Sequence, residues 1–183
     1  MKKNKFITGM LIFVLFFASN AFSACDFQFN LGDDKDEIVN KIQSRPFPLE
    51  HVGLEVVPIL ADDICPEQKL TDVGIELKFL NDELVAINLI ALNDENNHVS
   101  EKLTLMNYAK KAYGSFDTSL NPKAYTGYNI YELTNKFVIY QKDLGEDGRT
   151  NEQLYISTDH YDKKLMDFYK KIEIEQMENN NEN

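Results

Sequence analysis

The stretch VGIELKFLNDELVAINLIAL, residues 73–92, has the clearest structural pattern in the chain. Apolar residues alternate with Glu76 and Lys78, and the alternation resumes after the polar triplet at positions 81–83. Such alternation indicates two half-buried strands joined by a tight turn, so the sequence predicts an antiparallel β-hairpin here. The register that gathers six apolar side chains on one face pairs Phe79 with Val85, Leu77 with Ile87 and Ile75 with Leu89. It leaves the triplet as a three-residue loop.

Helical spacing of apolar residues occurs outside the hairpin in three segments, at residues 31–43, 99–114 and 161–172. We expect Asp33 to cap the first helix, Gly114 to end the second and Asp159 to cap the third. From residue 176 onward the chain is mostly Asn and Glu, which predicts a disordered tail at 176–183.

Four further segments have the composition of strands, at residues 54–60, 128–133, 137–141 and 153–158. Pro58 favours an edge position for the first, and Thr134-Asn135 is the expected turn between the second and third. The polar run at 145–152 is predicted to be an exposed turn. The element order therefore predicts the α+β class, with one or more antiparallel sheets covered by about three helices, and it allows two tandem αβ units.

The first 23 residues have the three parts of an export signal. Three lysines at positions 2, 3 and 5 precede an apolar run from Phe6 to Ala18, and small residues, Ala21 and Ser23, lie three and one before Ala24. This is the pattern that a signal peptidase requires. We therefore expect cleavage after Ser23 and a periplasmic or secreted protein whose single domain spans residues 24–175.

The chain has two cysteines, Cys25 and Cys65, and two interpretations of them stay open. In an oxidising compartment they are expected to form a disulfide, which would stabilise the fold by roughly 4 kcal/mol through closure of a 41-residue loop. The alternative is a lipoprotein, because Ser23-Ala24-Cys25 fits the end of a bacterial lipobox although Phe22 replaces its usual Leu. Only in that case would the chain be anchored to a membrane.

The charge of the chain is strongly acidic, with 19 basic and 30 acidic residues and a net charge of −11. Removal of residues 1–23 takes away three lysines and no acid, so the remaining 16 basic and 30 acidic residues give −14. Such a chain repels nucleic acids and attracts cationic surfaces. We therefore expect a basic protein partner and no nucleic-acid partner.

Residue patterns that carry catalysis are missing from the sequence. His51, His98 and His160 lie in separate segments, and neither a Gly-x-Ser-x-Gly turn nor a phosphate-binding or dinucleotide-binding motif occurs. Two cysteines without a nearby histidine do not complete a zinc site. We therefore expect no catalytic site, no metal site and no cofactor.

The tyrosines are unevenly distributed, since all nine fall between Tyr108 and Tyr169. Tyr125, Tyr128 and Tyr131 lie close together at the start of the second group of strands. Tyrosine is enriched at protein interfaces because it supplies a large area with few rotatable bonds and a polar tip. The three tyrosines are therefore the predicted binding residues.

The segment NLGDDKDEIVNKI, residues 30–42, is followed by a strand and by the pattern Phe79-x4-Leu84-x2-Ile87. This arrangement resembles the helix-then-meander unit of small bacterial envelope proteins such as the SmpA/OmlA lipoproteins and the β-lactamase inhibitor proteins. The resemblance covers residues 30–92 and, more weakly, 99–158. It implies a non-catalytic, exported protein-binding module, such as an inhibitor or a toxin-neutralising protein. The alternative is a lipid-anchored structural or assembly component of the envelope.

The covalent state of the mature protein gives a first test. We expect the mature chain to begin at Ala24 and to weigh two hydrogens less than its reduced form, because Cys25 and Cys65 are joined. Intact-mass spectrometry with and without reductant measures both features. A diacylglyceryl mass on an N-terminal Cys25 would contradict the prediction.

Overall fold

The computed structural model describes residues 29–48, 53–92, 103–119, 121–145 and 150–181. In chain order the helices and strands are α1 Lys35–Ile42, β1 Phe47–Pro48, β2 Leu54–Leu60, α2 Ala61–Ile64, β3 Val73–Leu80, β4 Glu83–Ala91, α3 Thr104–Tyr113, β5 Gly127–Glu132, β6 Phe137–Leu144, β7 Thr150–Ser157 and α4 Asp159–Asn181. The predicted signal at 1–23, Cys25, His51 and His98 lie outside the described residues.

The seven strands form one sheet in which every neighbouring pair is antiparallel. Its order is β1-β2-β3-β4-β7-β6-β5, so the last strands of the two halves meet in the middle, with Leu89 opposite Leu154. Each half places a helix before a three-stranded meander, α1 before β2–β4 and α3 before β5–β7. The α+β class predicted from the sequence is thereby confirmed.

The central hairpin forms, but its loop and the end of its register differ from the prediction. The pairs Ile75–Leu89 and Leu77–Ile87 are as predicted, whereas Phe79 lies opposite Leu84. The loop is the two-residue turn Asn81-Asp82, with φ angles of 51° and 68°. Two-residue hairpin turns with positive φ match the twist of the flanking strands, and Asn and Asp tolerate this conformation.

A β-bulge reconciles the short loop with the buried register. Lys78 lies opposite Ala86 and the next residue, Phe79, lies opposite Leu84, so Val85 is the extra residue of β4. Our predicted register assumed unbroken alternation, in which a two-residue loop would have placed Asn88 opposite Ile75. The extra residue in β4 shifts the pairing by one position, so that Ile75 lies opposite Leu89 instead. As a result Leu84 joins the core beside Phe79, and Val85 is buried in a second cluster.

The two faces of the sheet are covered differently. On one face, residues of α1, α2 and α3 pack with the sheet into the main core, which includes Ile38, Ala61, Leu105, Leu77 and Leu154. On the other face, Leu165 of α4 packs with Leu54, Leu80 and Val85, and the aromatic residues Tyr161, Phe168 and Tyr169 surround them. The buried side chains beneath α4 therefore come from β2, β3 and β4.

Three details of the helix ends correct the sequence predictions. Asp34, rather than Asp33, caps α1, because its carboxylate accepts from the Asp36 and Glu37 backbone N–H groups. Thr158, rather than Asp159, caps α4 by accepting from the Tyr161 N–H. The predicted disordered tail is corrected as well, since α4 continues through residues 176–181. Gln176, Met177 and Glu178 are good helix formers, and adding residues to a helix that is already nucleated costs little.

The opposite faces of the sheet give a direct test of the fold. Leu77→Asp should lower the free energy of unfolding by about 4 kcal/mol or more, because it places an uncompensated charge at a fully buried position. Gln141→Asp introduces the same residue at an exposed position on the other face and should change stability by less than about 0.5 kcal/mol. Urea denaturation measures both values. Similar losses in the two variants would show that the assignment of faces is wrong.

Candidate functional site

The three predicted binding tyrosines do not share one surface. Tyr128 is 69% exposed and lies on the face of the sheet that carries α4, beside the half-exposed Ile130. Tyr131 is three positions further along the same strand, so its side chain points to the other face. Tyr125 precedes the strand, and its hydroxyl donates to the Tyr128 carbonyl oxygen over 3.1 Å. Tyr128 is therefore the exposed member of the three.

Tyr125 and Tyr131 belong to an aromatic cluster on the face covered by α3. The ring of Phe116 lies 5.6 Å from the ring of Tyr125, 6.2 Å from that of Tyr131 and 5.4 Å from that of Tyr140. The amine of Lys110 lies 4.7 Å from the centre of the Phe116 ring, a cation–π contact. Burial raises the pKa of Tyr131 to about 12. These two tyrosines are partly buried and pack β5 against the main core.

On the other side of β5 and β6 lies a surface that no helix or strand of the described residues covers. It consists of Tyr128 and Ile130 of β5 and Phe137 and Ile139 of β6, and we call it the open face. The register places Ile130 directly opposite Ile139 and leaves Phe137 opposite Glu132. Since α4 covers buried residues of β2, β3 and β4, this half of the sheet keeps apolar side chains at the surface.

A cleft of about 670 Å³ separates the open face from the start of α4. Its apolar wall contains Ile130, Phe137 and Ile139, and Thr158, Asp159 and His160 belong to its opposite side. We call it the β5–β6 cleft. Apolar walls with a few polar groups are typical of recognition sites, in which the polar groups fix orientation.

The charged residues of the β5–β6 cleft are Glu132, Lys136 and Asp159. His160 stacks edge-on against Tyr161, with 5.0 Å between the ring centres. Within the described ranges, no group of three or more His, Cys, Asp or Glu side chains is arranged to hold a metal ion. The arrangement supplies shape, apolar area and acidic groups, which suit binding of a partner.

A buried carboxylate, Glu152, lies on the far side of the same strands. We predicted an exposed turn at 145–152, but Glu152 belongs to β7 and is only 2% exposed. Its carboxylate accepts from the Tyr140 hydroxyl over 2.8 Å and from the backbone N–H groups of Leu105 and Met106 over 3.4 and 3.1 Å. It thereby caps the first turn of α3 from a distant strand. Burial raises its pKa above the ordinary value.

Lys142 is the neighbour of Glu152 on β6 and is equally buried. Its amine donates to the carbonyl oxygens of Lys123 and Tyr125 over 2.8 and 2.7 Å, and burial lowers its pKa. These bonds hold the segment that leads into β5. The buried pair therefore positions both the start of α3 and the start of the strand that carries Tyr128.

The structure describes one of the two cysteines of the predicted disulfide. Cys65 lies after α2 and is buried in the main core, and the described part of the chain contains no free cysteine. Because Cys25 lies outside the described residues, its pairing with Cys65 stays a prediction.

Comparisons with protein-family models, with curated proteins and with solved structures returned no match. The resemblance to envelope assembly lipoproteins and β-lactamase inhibitor proteins therefore stays an expectation. Among the helices that the structure describes, none combines the length and the apolar character needed to cross a bilayer.

Substitution of Glu152 tests the buried network. Glu152→Ala should lower the free energy of unfolding by about 3 kcal/mol, because it leaves the Tyr140 hydroxyl and two backbone N–H groups without their acceptor. Glu152→Gln should lose less, since its amide oxygen still accepts. Thermal and urea denaturation measure both losses, and a silent Glu152→Ala would contradict the assigned role.

The pH dependence of stability provides a second measurement on the same residue. Since the folded state raises the pKa of Glu152, it binds the proton more tightly than the unfolded chain does. The contribution of Glu152 to stability is therefore greatest below its ordinary pKa of 4.5 and declines as pH rises through the folded pKa. The stability of Glu152→Gln relative to the wild type should accordingly improve as pH rises above 4.5. An unchanged difference would show that the pKa is not raised.

Proposed function

We propose that this chain is a protein-binding module, exported to the periplasm or secreted, that acts without catalysis and takes a basic partner. The observation that carries the proposal is the open face, where Tyr128 and Ile130 are exposed beside a cleft on an acidic chain. An inhibitor or a toxin-neutralising protein needs these two properties, an apolar contact area and a charge opposite to that of its target.

The open face provides the contact area that such a module needs. Tyr128 exposes 69% of its surface and Ile130 exposes 50%, although both lie within a regular strand. Binding energy in interfaces is concentrated in a few aromatic and apolar anchors that become desolvated in the complex. We assign Tyr128 as the anchor, and we assign Tyr125 and Tyr131 as residues that hold β5 in place.

The negative charge of the chain favours a basic partner over an acidic one. The net charge of −11, or −14 without residues 1–23, accelerates association with a cationic protein and opposes association with an anionic one. Glu132 and Asp159 bring part of this charge to the β5–β6 cleft. The cleft also contains Lys136, so the local charge favours cations less strongly than the charge of the whole chain does.

A second candidate, a lipid-anchored component of the envelope, is favoured by one observation, the match of Ser23-Ala24-Cys25 to a lipobox. It requires Cys25 to carry lipid, whereas the first proposal joins Cys25 to Cys65 in a disulfide. The mass of the mature protein distinguishes the two proposals.

Capture experiments test the binding proposal. Purified mature protein should retain a basic protein from an envelope or culture extract, and the double substitution Tyr128→Ala with Ile130→Ala should abolish this retention. Leu60→Ala is the matched control, because Leu60 is an exposed aliphatic residue at the opposite end of the sheet. Retention by the double variant, or equal loss in the control, would contradict the assigned surface.

Association and dissociation rates with the captured partner distinguish the long-range effect of charge from the contribution of Tyr128 to the bound complex. The association rate should fall as salt rises, because screening weakens long-range attraction. Tyr128→Ala alone should raise the dissociation rate about tenfold or more, which corresponds to 1.4 kcal/mol, with little change in the association rate. Its melting temperature should match that of the wild type, since the side chain is exposed. A variant that is folded and binds with unchanged kinetics would remove Tyr128 from the interface.

A further inference from the structure

The two edges of the sheet are built differently. The β1 edge contains two residues, Phe47 and Pro48, and beyond it the outer side of β2 carries Pro58, whose carbonyl oxygen accepts from the Ser44 hydroxyl. Short strands and prolines are the usual means by which proteins prevent pairing at an edge. The β5 edge, Gly127–Glu132, has six residues in unbroken register with β6 and contains neither proline nor lysine. Among the described strands, β6 alone pairs with it.

The hydrogen-bond pattern shows which backbone groups of β5 face outward. At the hairpin end, the Leu133 N–H donates to the Lys136 carbonyl oxygen over 2.9 Å. In an antiparallel ladder, bonded residues alternate, so 127, 129 and 131 bond to β6. The N–H and C=O groups of Tyr128, Ile130 and Glu132 therefore point to the open edge. The bond from the Tyr125 hydroxyl to the Tyr128 carbonyl oxygen agrees with this assignment.

We propose that the partner adds an extended segment to the sheet as an eighth strand along β5, bonded to the outward N–H groups of Tyr128, Ile130 and Glu132 and to the carbonyl oxygens of Ile130 and Glu132. The Tyr128 carbonyl oxygen already accepts from the Tyr125 hydroxyl. This inference rests on the proposed function and specifies its binding mode. Strand addition supplies affinity through the backbone and selectivity through alternate side chains. In the added strand, the side chains that point to the same face as Ile130 lie beside the open face. The β5–β6 cleft can receive an apolar side chain there.

Charge decides between a foreign segment and a second copy of this chain. Pairing of two β5 edges would bring together two chains of net charge −11 and would place acidic residues such as Glu132 in one interface. Ile130 and Glu132 point to the same face of β5, so a segment with an apolar residue opposite Ile130 and a basic residue two positions away lies opposite both. It places a cation beside Glu132, and directly opposite charges in neighbouring strands stabilise the pair. The occupant is therefore a basic, extended segment of another protein.

Amide exchange with defined peptides tests this mode. The probes are a ten-residue peptide with the repeat Val-Thr-Lys-Thr, which puts Val and Lys on one face, and a matched peptide with Glu in place of Lys; we call them the Lys/Val and Glu/Val peptides. NMR of the full mature protein with the Lys/Val peptide should show new exchange protection at the amides of residues 128, 130 and 132. The amides of 129 and 131 are already bonded to β6 and should change little. The Glu/Val peptide should bind at least about tenfold more weakly.

Two substitutions at Ile130 separate the backbone from the side chain. Ile130→Pro removes one outward donor without removing a bond to β6, and proline is tolerated at such edge positions. It should weaken binding of the Lys/Val peptide about tenfold more than Ile130→Ala does, which keeps the donor. Thermal melts of both variants confirm folding, and the exchange pattern of the wild type provides the test should the proline variant fail to fold.

Several results would overturn the inference. They are absence of peptide binding at about 1 mM, protection without the odd–even pattern, and equal binding of the two peptides. Protection of residues 128, 130 and 132 that grows with protein concentration alone would assign the edge to a second copy. If Ile130→Pro still retains the captured partner while the double variant Tyr128→Ala with Ile130→Ala does not, strand addition is wrong and the proposed function stands. If the wild type retains no partner, the proposed function itself is wrong.

Discussion

The bulge at Val85 is the feature on which the rest of the architecture depends. It turns one apolar residue of β4 to the second face of the sheet, where Val85 joins Leu54 and Leu80 and gives α4 a place to pack through Leu165. Val85 is the residue that β4, the central strand, contributes to this cluster, and it is fully buried there. Because this cluster lies over β2, β3 and β4, the β5–β6 half of that face stays uncovered. The surface that we assign to binding is thus a consequence of where a single helix packs.

The buried pair Glu152 and Lys142 lies on the opposite side of the sheet from the open face and holds the strands that form it in position. Glu152 fixes the first turn of α3, and Lys142 holds the segment that enters β5 through two carbonyl oxygens. Buried charges are costly unless each is well bonded, and both are. If β5 accepts a partner as we propose, its precise placement is a reason to retain such a network, because a loosely held edge would lose entropy on binding.

Much of the fold follows from local pattern, and the failures have specific physical causes. Alternation in 73–92 was sufficient to predict the pairs Ile75–Leu89 and Leu77–Ile87. The bulge could not be predicted in this way, because residues 84–87 are all apolar and the sequence does not show which of them is the extra one. The capping of α1 and α4 was misplaced by one residue because adjacent Asp and Thr side chains compete for the same role. Glu152 was missed, although alternation back from Ile156 and Leu154 places it on the buried face. The same parity separates Tyr128 from Tyr131, which lie three positions apart in one strand. Contacts between distant segments, such as Glu152 with the start of α3, have no counterpart in local sequence.

The central claim is that the uncovered half of the sheet binds a basic protein. Hydrogen–deuterium exchange of the native complex, with the partner obtained by capture, locates the contact without any substitution. We predict that protection on binding is confined to β5, to the β5–β6 turn and to the first turn of α4, around His160. Protection centred instead on α1 and α3, or at the opposite edge around Pro58 and Leu60, would contradict the claim.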